Sequence, residues 1–314
     1  MNGGVLYILS GQGLEVGTSA LQNLVDQAGP MEVRYLPVER FTARHAADAA
    51  FLFGFPDQIL LSQAPGLQWL HLPSAGADRY ADLSLYANDR VTLTTSAGVY
   101  GAPMAEHILM LFFALARGLV DPHTTSGTQR ELYGATVALL GLGDVGRTLA
   151  ARLSAFGATV LGMRRNLLDN KPPHVHELFD AHTLHLMLAR ADFVACCLPL
   201  TRETDRLLDA AAFHAMKPGA IFVNVGRGAV VDTEALVDAL NAGHLWGAGL
   251  DVTDPEPLPA NHPLRQMSNV ILTNHSAGES WQTPQRILAF FEKQLARYLA
   301  NRRLENMVDF FRGY

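Results

Sequence analysis

Short apolar runs of strand character recur along the chain, at 5–9, 136–140, 159–163, 192–195, 220–223, 246–252 and 270–272. Around them lie stretches with the 3.6-residue spacing of amphipathic helices, among them 103–113 and about 283–301. Strands alternating with helices predict an α/β protein with doubly wound parallel sheets. With 314 residues, 49% of them hydrophobic, the chain is long enough for two cored domains, because single cores stop growing near ~250 to 300 residues.

One apolar run carries a ligand signature. Residues 136–140 lead into Gly141-Leu142-Gly143-Asp144-Val145-Gly146 and then into a helical pattern. In this spacing the first glycine permits the tight turn, the second lets backbone approach a pyrophosphate, and the third lets helix pack on strand. The phosphates would sit at the helix N-terminus, where free N–H groups and the dipole favour anions. A similar stretch, Gly11-Gln12-Gly13-Leu14-Glu15-Val16-Gly17, has its last glycine one residue too far along and reads as an ordinary strand-to-helix turn. The strand at 159–163 ends on Arg164 and Arg165, where an NAD site usually places an acidic residue ~20 positions after the glycines. Their charge suits a 2′-phosphate and no carboxylate stands there to repel it, so NADP is the expected cofactor, with NAD possible.

Three charged residues follow later strands: Arg227 in Asn224-Val225-Gly226-Arg227-Gly228, Glu256 between Pro255 and Pro257, and His275 in Thr273-Asn274-His275-Ser276. Strand ends are where ligands bind in open parallel sheets. A guanidinium can clamp a carboxylate in the plane while polarising an adjacent carbonyl. An imidazole can give a proton to a carbonyl oxygen that is receiving hydride and take it back in reverse. A glutamate bonded to the other ring nitrogen would fix its tautomer. Together they predict hydride-transfer chemistry on a small oxo acid.

The remaining composition removes other classes. Net charge is −6 and no basic tract is long enough to suggest nucleic acid. No run of 18 uninterrupted apolar residues suggests a membrane span, and the N-terminus lacks a basic region followed by a cleavable apolar segment, so the cytoplasm is expected. The two cysteines, Cys196 and Cys197, are neighbours at a strand end and point to opposite faces, which predicts two small core residues without a disulfide. The pairs His174/His176 and His182/His185 lack a second ligand pair and read as solvated surface, so no metal is expected.

From about residue 66 to 280 the chain resembles the D-isomer-specific 2-hydroxyacid dehydrogenases. The likeness rests on Leu198-Pro199-Leu200-Thr201 with Glu203-Thr204, Met216-Lys217-Pro218-Gly219-Ala220, the Arg227 motif, Gly249-Leu250-Asp251-Val252, Glu256-Pro257 and His275, in that order. It implies that Arg227 binds the substrate carboxylate and carbonyl, that His275 is the acid and base, and that Glu256 is its partner. It places Leu198, Pro199, Val225, Gly226, Asp251, His275 and Gly278 on the cofactor, beside Gly141, Gly143, Asp144, Val145, Gly146, Arg164 and Arg165. It also places backbone amides around Ala75 and Gly76, with Val99, on the substrate. The implied architecture is a Rossmann nucleotide domain, 99–277, inserted into a flavodoxin-like substrate domain, 1–98 plus 278–314.

Two departures stand out. Asn274 occupies the position of the proline that many members have before the histidine, and the 117–134 stretch, implied to form a homodimer, is short and lacks the usual tryptophan. The leading expectation is NADPH-dependent reduction of a small 2-oxo acid such as glyoxylate or hydroxypyruvate to the D-2-hydroxy acid. The same scaffold also serves oxidation of formate or phosphite, against which Glu256 counts because the formate enzymes carry glutamine there. It serves nucleotide-sensing corepressors as well. Substrate side-chain preference is expected to depend on loops carrying Phe53, Phe55, Tyr100 and Trp281.

Overall fold

The structure, a computed structural model, describes residues 3–11, 14–119, 129–168 and 170–313. Gln12 and Gly13 of the turn expected near the N-terminus, and residues 120–128 of the expected dimerisation stretch, lie outside the described residues. The chain forms two compact units, Met1–Val99 with Ser280–Tyr314, and Tyr100–Glu279.

The first unit holds β1 (Val5–Ser10), α1 (Thr18–Ala28), β2 (Glu32–Pro37), α2 (Ala43–Asp48), β3 (Ala49–Phe53), α3 (Gln58–Leu61), β4 (Trp69–Leu72) and β5 (Thr92–Thr95). Its strands are all parallel in the order β2-β1-β3-β4-β5, the flavodoxin-like winding. Strands β3 and β4 are buried along their whole length, as expected of central parallel strands covered on both faces. The helix Thr283–Leu299 covers one of those faces: its Phe291 stacks on Phe53 with ring centroids 3.9 Å apart. Both rings are fully buried, so Phe53 belongs to the core rather than to a substrate loop, a correction to the expectation above. Truncating either ring to alanine costs about 3–5 kcal/mol. Trp281, by contrast, is 82% exposed.

The second unit begins with α4 (Gly101–Ala116) and continues through β6 (Thr136–Leu140), α5 (Asp144–Ala155), β7 (Thr159–Met163), β8 (Glu177–Phe179), α6 (Leu184–Leu188), β9 (Phe193–Cys196), α7 (Ala210–Ala215), β10 (Ala220–Asn224), α8 (Thr233–Asn241), β11 (Leu245–Leu250) and β12 (Val270–Leu272). Its seven strands are parallel in the order β12-β11-β10-β9-β6-β7-β8, the Rossmann winding. Successive residues of β6 alternate between two cores: Ala138 and Leu140 join the cluster with Phe222 and Leu236, while Val137 and Leu139 join the one with Phe112 and Leu149. The winding reverses between β6 and β9, so a crevice opens beyond the carboxyl ends of those strands.

Among the described residues no helix is long and apolar enough to cross a membrane, and no group of histidine, cysteine and acidic side chains could hold a metal ion. Cys196 and Cys197 are free, and burial pushes both thiols up, Cys196 to about 12, so both stay protonated at neutral pH.

Candidate active site

Arg227, Glu256 and His275 follow the carboxyl ends of three adjacent strands, β10, β11 and β12. The structure joins two of them directly. His275 Nδ1 lies 2.6 Å from Glu256 Oε1, and since a carboxylate only accepts, Nδ1 carries the proton of this bond. The imidazole is half exposed, which leaves Nε2 open to a reactant. His275 sits at φ 54°, the left-handed region that side chains seldom adopt. Such a conformation costs of order 1–3 kcal/mol and persists only where neighbours impose it.

The neighbour that imposes it is Asp251. Its carbonyl accepts the His275 N–H at 2.9 Å, and its carboxylate accepts the N–H groups of Ser276 and Ala277 at 2.9 and 3.0 Å and the Thr273 hydroxyl at 2.6 Å. The carboxylate is buried, and these donors offset its desolvation. Because the Thr273 proton goes to Asp251, Thr273 Oγ1 must accept from His107 Nε2, 3.1 Å away on α4. Burial holds His107 below its ordinary pKa, against the pull of the Asp251 charge, so the ring is neutral with its proton on Nε2.

Arg227 is held by its backbone. Asn224, buried at the end of β10, accepts the Gly226 N–H at 3.0 Å and donates to the Arg227 carbonyl at 3.0 Å. A Cβ on Gly228 would lie 2.0 Å from the Thr253 carbonyl oxygen, so the Arg227 loop is pressed against the segment that carries Glu256. A cavity of about 390 Å³ is lined by Asp251, Glu256, Arg265, Thr273 and His275 among others, and Arg227 is not one of its lining residues. The motif reading found the three charged residues but assigned no part to Asn224 or His107. The one signal for His107 is that it and Glu106 are the polar residues of the otherwise apolar α4.

The glycine turn fits a dinucleotide. Gly141 has φ +100° and Gly146 would place a Cβ 2.0 Å from the Gly141 carbonyl oxygen, so both are fixed by the chain itself. Gly143 has a negative φ and no heavy atom within 4 Å of its would-be Cβ, so nothing in the protein requires glycine there. A phosphate brought against the N-terminus of α5 would require it. Asp144 opens α5, and its carboxylate is engaged by the Gly101 N–H at 2.6 Å, which leaves its backbone rather than its side chain for a ligand. Leu198, Val225 and Gly226 are buried around the next strand ends, Pro199 is exposed, and Gly278 packs against Tyr100.

At the end of β7 the expectation of an uncontested basic pair is corrected. Glu203, 38 residues further along, accepts from Arg165 Nε and Nη2 at 3.1 and 2.8 Å. The turn bearing it is fixed by Thr201 and Thr204, whose hydroxyls are 3.0 Å apart, and by the Thr204 hydroxyl donating to the Pro199 carbonyl. Arg164 donates to the Asn170 carbonyl at 3.2 Å. A carboxylate does therefore stand at this corner, brought there by the loop after β9.

In the first unit, the loop after β4 carries Ala75, exposed, and Gly76, partly buried; Val99 is buried at the end of its own loop. The Ser74 hydroxyl donates to the Gly76 carbonyl at 2.6 Å and so turns that oxygen inward.

Comparison with known proteins agrees with this geometry. The family model described as D-isomer specific 2-hydroxyacid dehydrogenase, NAD binding domain, matches residues 114–277. The chain is 34% identical to a glyoxylate reductase of Thermofilum pendens over 77% of its own length and 75% of the relative. It is 31% identical to glyoxylate/hydroxypyruvate reductase B of Enterobacter sp. (strain 638), over 85% and 87%. Among solved structures, a D-isomer specific 2-hydroxyacid dehydrogenase from Xanthobacter autotrophicus Py2 in complex with NADPH and MES covers the whole of both chains with TM-score 0.83 and 29% identity. An NADPH-dependent glyoxylate/hydroxypyruvate reductase from Sinorhizobium meliloti, with NADP and sulfate, does so with TM-score 0.82 and 26% identity. With its parallel sheets, glycine cradle and paired histidine and glutamate, the chain belongs to the D-isomer specific 2-hydroxyacid dehydrogenase family and is an NAD(P)-dependent oxidoreductase that reduces a 2-oxo acid.

Proposed function

We propose that the protein reduces a small 2-oxo acid of the glyoxylate or hydroxypyruvate class to the D-2-hydroxy acid, with NADPH as reductant. The observation that carries this reading is the 2.6 Å bond between His275 Nδ1 and Glu256 Oε1. With Nδ1 committed to the carboxylate, a protonated His275 has its Nε2 proton to give to the substrate oxygen, and it takes that proton back in the reverse direction. Glu256 stands where the formate enzymes carry glutamine, and this supports a ketone reductase over a dehydrogenase of simple anions. A nicotinamide bound at the glycine turn would supply the hydride for the keto carbon. Arg227 clamps the substrate carboxylate and polarises the carbonyl. The N–H groups of Ala75 and Gly76 add anion contacts, with Val99 beside them.

The preference for NADPH is supported by Arg164 and Arg165 at the end of β7 and by the NADPH and NADP complexes of the two similar structures. A homodimer belongs to the same reading, and sedimentation velocity at assay concentration checks it, a monomeric mass removing it. The deciding experiment is loss of 340 nm absorbance with NADPH, then NADH, across glyoxylate, hydroxypyruvate, pyruvate and phenylpyruvate, with a His275→Ala control. Turnover that favours NADPH and disappears in the control is expected. Binding of NADPH without turnover of any of the acids would overturn the reading.

A further inference from the structure

The first unit buries a histidine that the proposed chemistry does not use. His71, on β4, is fully enclosed, with Phe53 tilted beside it and Phe290 and Phe291 within ring-contact distance. Its ring nitrogens meet two buried hydroxyls, Thr94 Oγ1 at 2.7 Å from Nδ1 and Ser96 Oγ at 3.0 Å from Nε2. The protons of this chain can be assigned. The Ser96 hydroxyl donates to the Leu72 carbonyl at 3.1 Å, which can only accept. Its oxygen must then accept from His71 Nε2–H. A neutral imidazole has one N–H, so Nδ1 is the acceptor and takes the Thr94 proton. Thr94 Oγ1 in turn accepts from the Trp69 indole at 2.7 Å, and the indole can only donate. Every donor in the chain has one acceptor, and no proton is left over.

The chain ends at a junction. The Ser96 N–H donates to the Leu72 and Ser74 carbonyls at 3.0 and 2.8 Å, and the Ser96 carbonyl accepts the Val99 N–H. Ser74 in turn holds the Gly76 carbonyl. Ser96 thus connects the Ser74–Gly76 turn to the segment ending in Val99, and His71 is the donor that orients Ser96. Phenylalanine would fill the same apolar space without placing three polar groups in the core, so the polar solution calls for an explanation.

We propose that His71 is a positioning residue for substrate binding: through Ser96 it fixes the two loops that present Ala75, Gly76 and Val99 to the carboxylate of the 2-oxo acid. The inference rests on the assignment of those loops to the substrate made above. A role confined to folding would lower stability and the active fraction while leaving the KM of the surviving enzyme unchanged. A positioning role changes KM for the 2-oxo acid and spares the cofactor.

The test compares His71→Phe, His71→Gln, Ser96→Ala and Ala75→Asp in the full chain by steady-state kinetics, NADPH fluorescence titration and thermal unfolding. His71→Phe and Ser96→Ala should raise KM for the best 2-oxo acid by roughly threefold to tenfold, the worth of one hydrogen bond. Both should leave kcat within about twofold and NADPH affinity unchanged, as expected for lost ground-state binding. His71→Gln, which keeps a donor and an acceptor, should recover most of the loss. If His71→Phe does not fold, Ser96→Ala decides alone. Unchanged KM in a folded Ser96→Ala overturns the inference. Ala75→Asp separates the causes, because it sets a like charge against the substrate. If it raises KM while Ser96→Ala does not, only the positioning role fails; if it also leaves KM unchanged, the loop assignment fails with it.

Discussion

Acid should remove stability from the five-stranded unit through a single side chain, His71. Burial lowers its pKa from 6.5 to about 3, because the charged form cannot be solvated inside the sheet. The side chains bonded to it or stacked on it, Thr94, Ser96, Phe53, Trp69, Phe290 and Phe291, carry no charge to offset that penalty. Below pH 6.5 the unfolded chain binds a proton that the folded chain refuses. The stability linked to the neutral ring is therefore present in full above about 6.5 and lost as pH falls towards 3. The loss is about 1.4 kcal/mol per pH unit, about 2 kcal/mol by pH 5 and roughly 5 kcal/mol at the foot of the window. His71→Gln does not titrate, so its stability deficit against the parent should shrink by about 2 kcal/mol between pH 7 and 5. Hydrogen exchange of peptides spanning β4 and β5 reads the opening free energy of this unit without assuming one transition for the whole chain. A deficit constant to within about 0.5 kcal/mol over that range would refute the reasoning, as would an imidazole at position 71 titrating above pH 5 in nitrogen-15 spectra.

Other perturbations test the second unit. Replacing Arg164 by Asp and Arg165 by Ala should weaken NADPH by about ten- to a hundredfold and NADH far less, the scale of one or two charge-assisted hydrogen bonds; equal losses for both cofactors would contradict the assignment. Glu203→Gln removes the carboxylate now bonded to Arg165 and should tighten NADPH by a few-fold in fluorescence titration while leaving NADH alone. Gly143→Ala should leave unfolding within about 0.5 kcal/mol of the parent yet weaken cofactor binding at least about tenfold, whereas Gly228→Ala should destabilise by about 1–3 kcal/mol because its Cβ meets the Thr253 carbonyl. Identical behaviour of the two glycine variants would remove the distinction between ligand-imposed and chain-imposed glycine. His107→Phe deprives Thr273 of its donor and should lower kcat several-fold with cofactor affinity intact, while His107→Gln, which can still donate, retains most of the rate; equal rates for both would detach His107 from the His275 loop.

What could be read from the chain, and what could not, follows from the range of the interaction involved. The strands at 136–140, 159–163 and 270–272 coincide with β6, β7 and β12, because each is written as a local apolar run. Glu256 and His275 were legible as candidates because each stands in a distinctive local setting, although only the fold brings their side chains to 2.6 Å. Arg165 and Glu203 are 38 residues apart, and no pattern in either stretch marks the other as its partner. The bond from His107 to Thr273 spans 166 residues and depends on α4 packing across β10 and β11. Phe53 is expected in a substrate loop near residues 52–57, and nothing local marks its partner Phe291, which lies far along the chain in the helix Thr283–Leu299.

His71 is the sharpest case of this limit. In sequence it is a polar interruption between Trp69-Leu70 and Leu72-Pro73. What makes it a core residue is register: β4 pairs with β5 so that His71 lies beside Thr94, with Ser96 one step beyond the strand end. Alternate residues of a strand share a face, so Trp69 and His71 face the same layer, as Thr94 and Ser96 do. Two hydroxyls two residues apart then meet two ring nitrogens, and the imidazole is satisfied without charge. A one-residue slip of β5 against β4 would turn Thr94 and Ser96 to the opposite face and leave the Trp69 and His71 nitrogens buried without their partners. The network therefore fixes the register of β4 and β5 together with the starts of the loops that follow them.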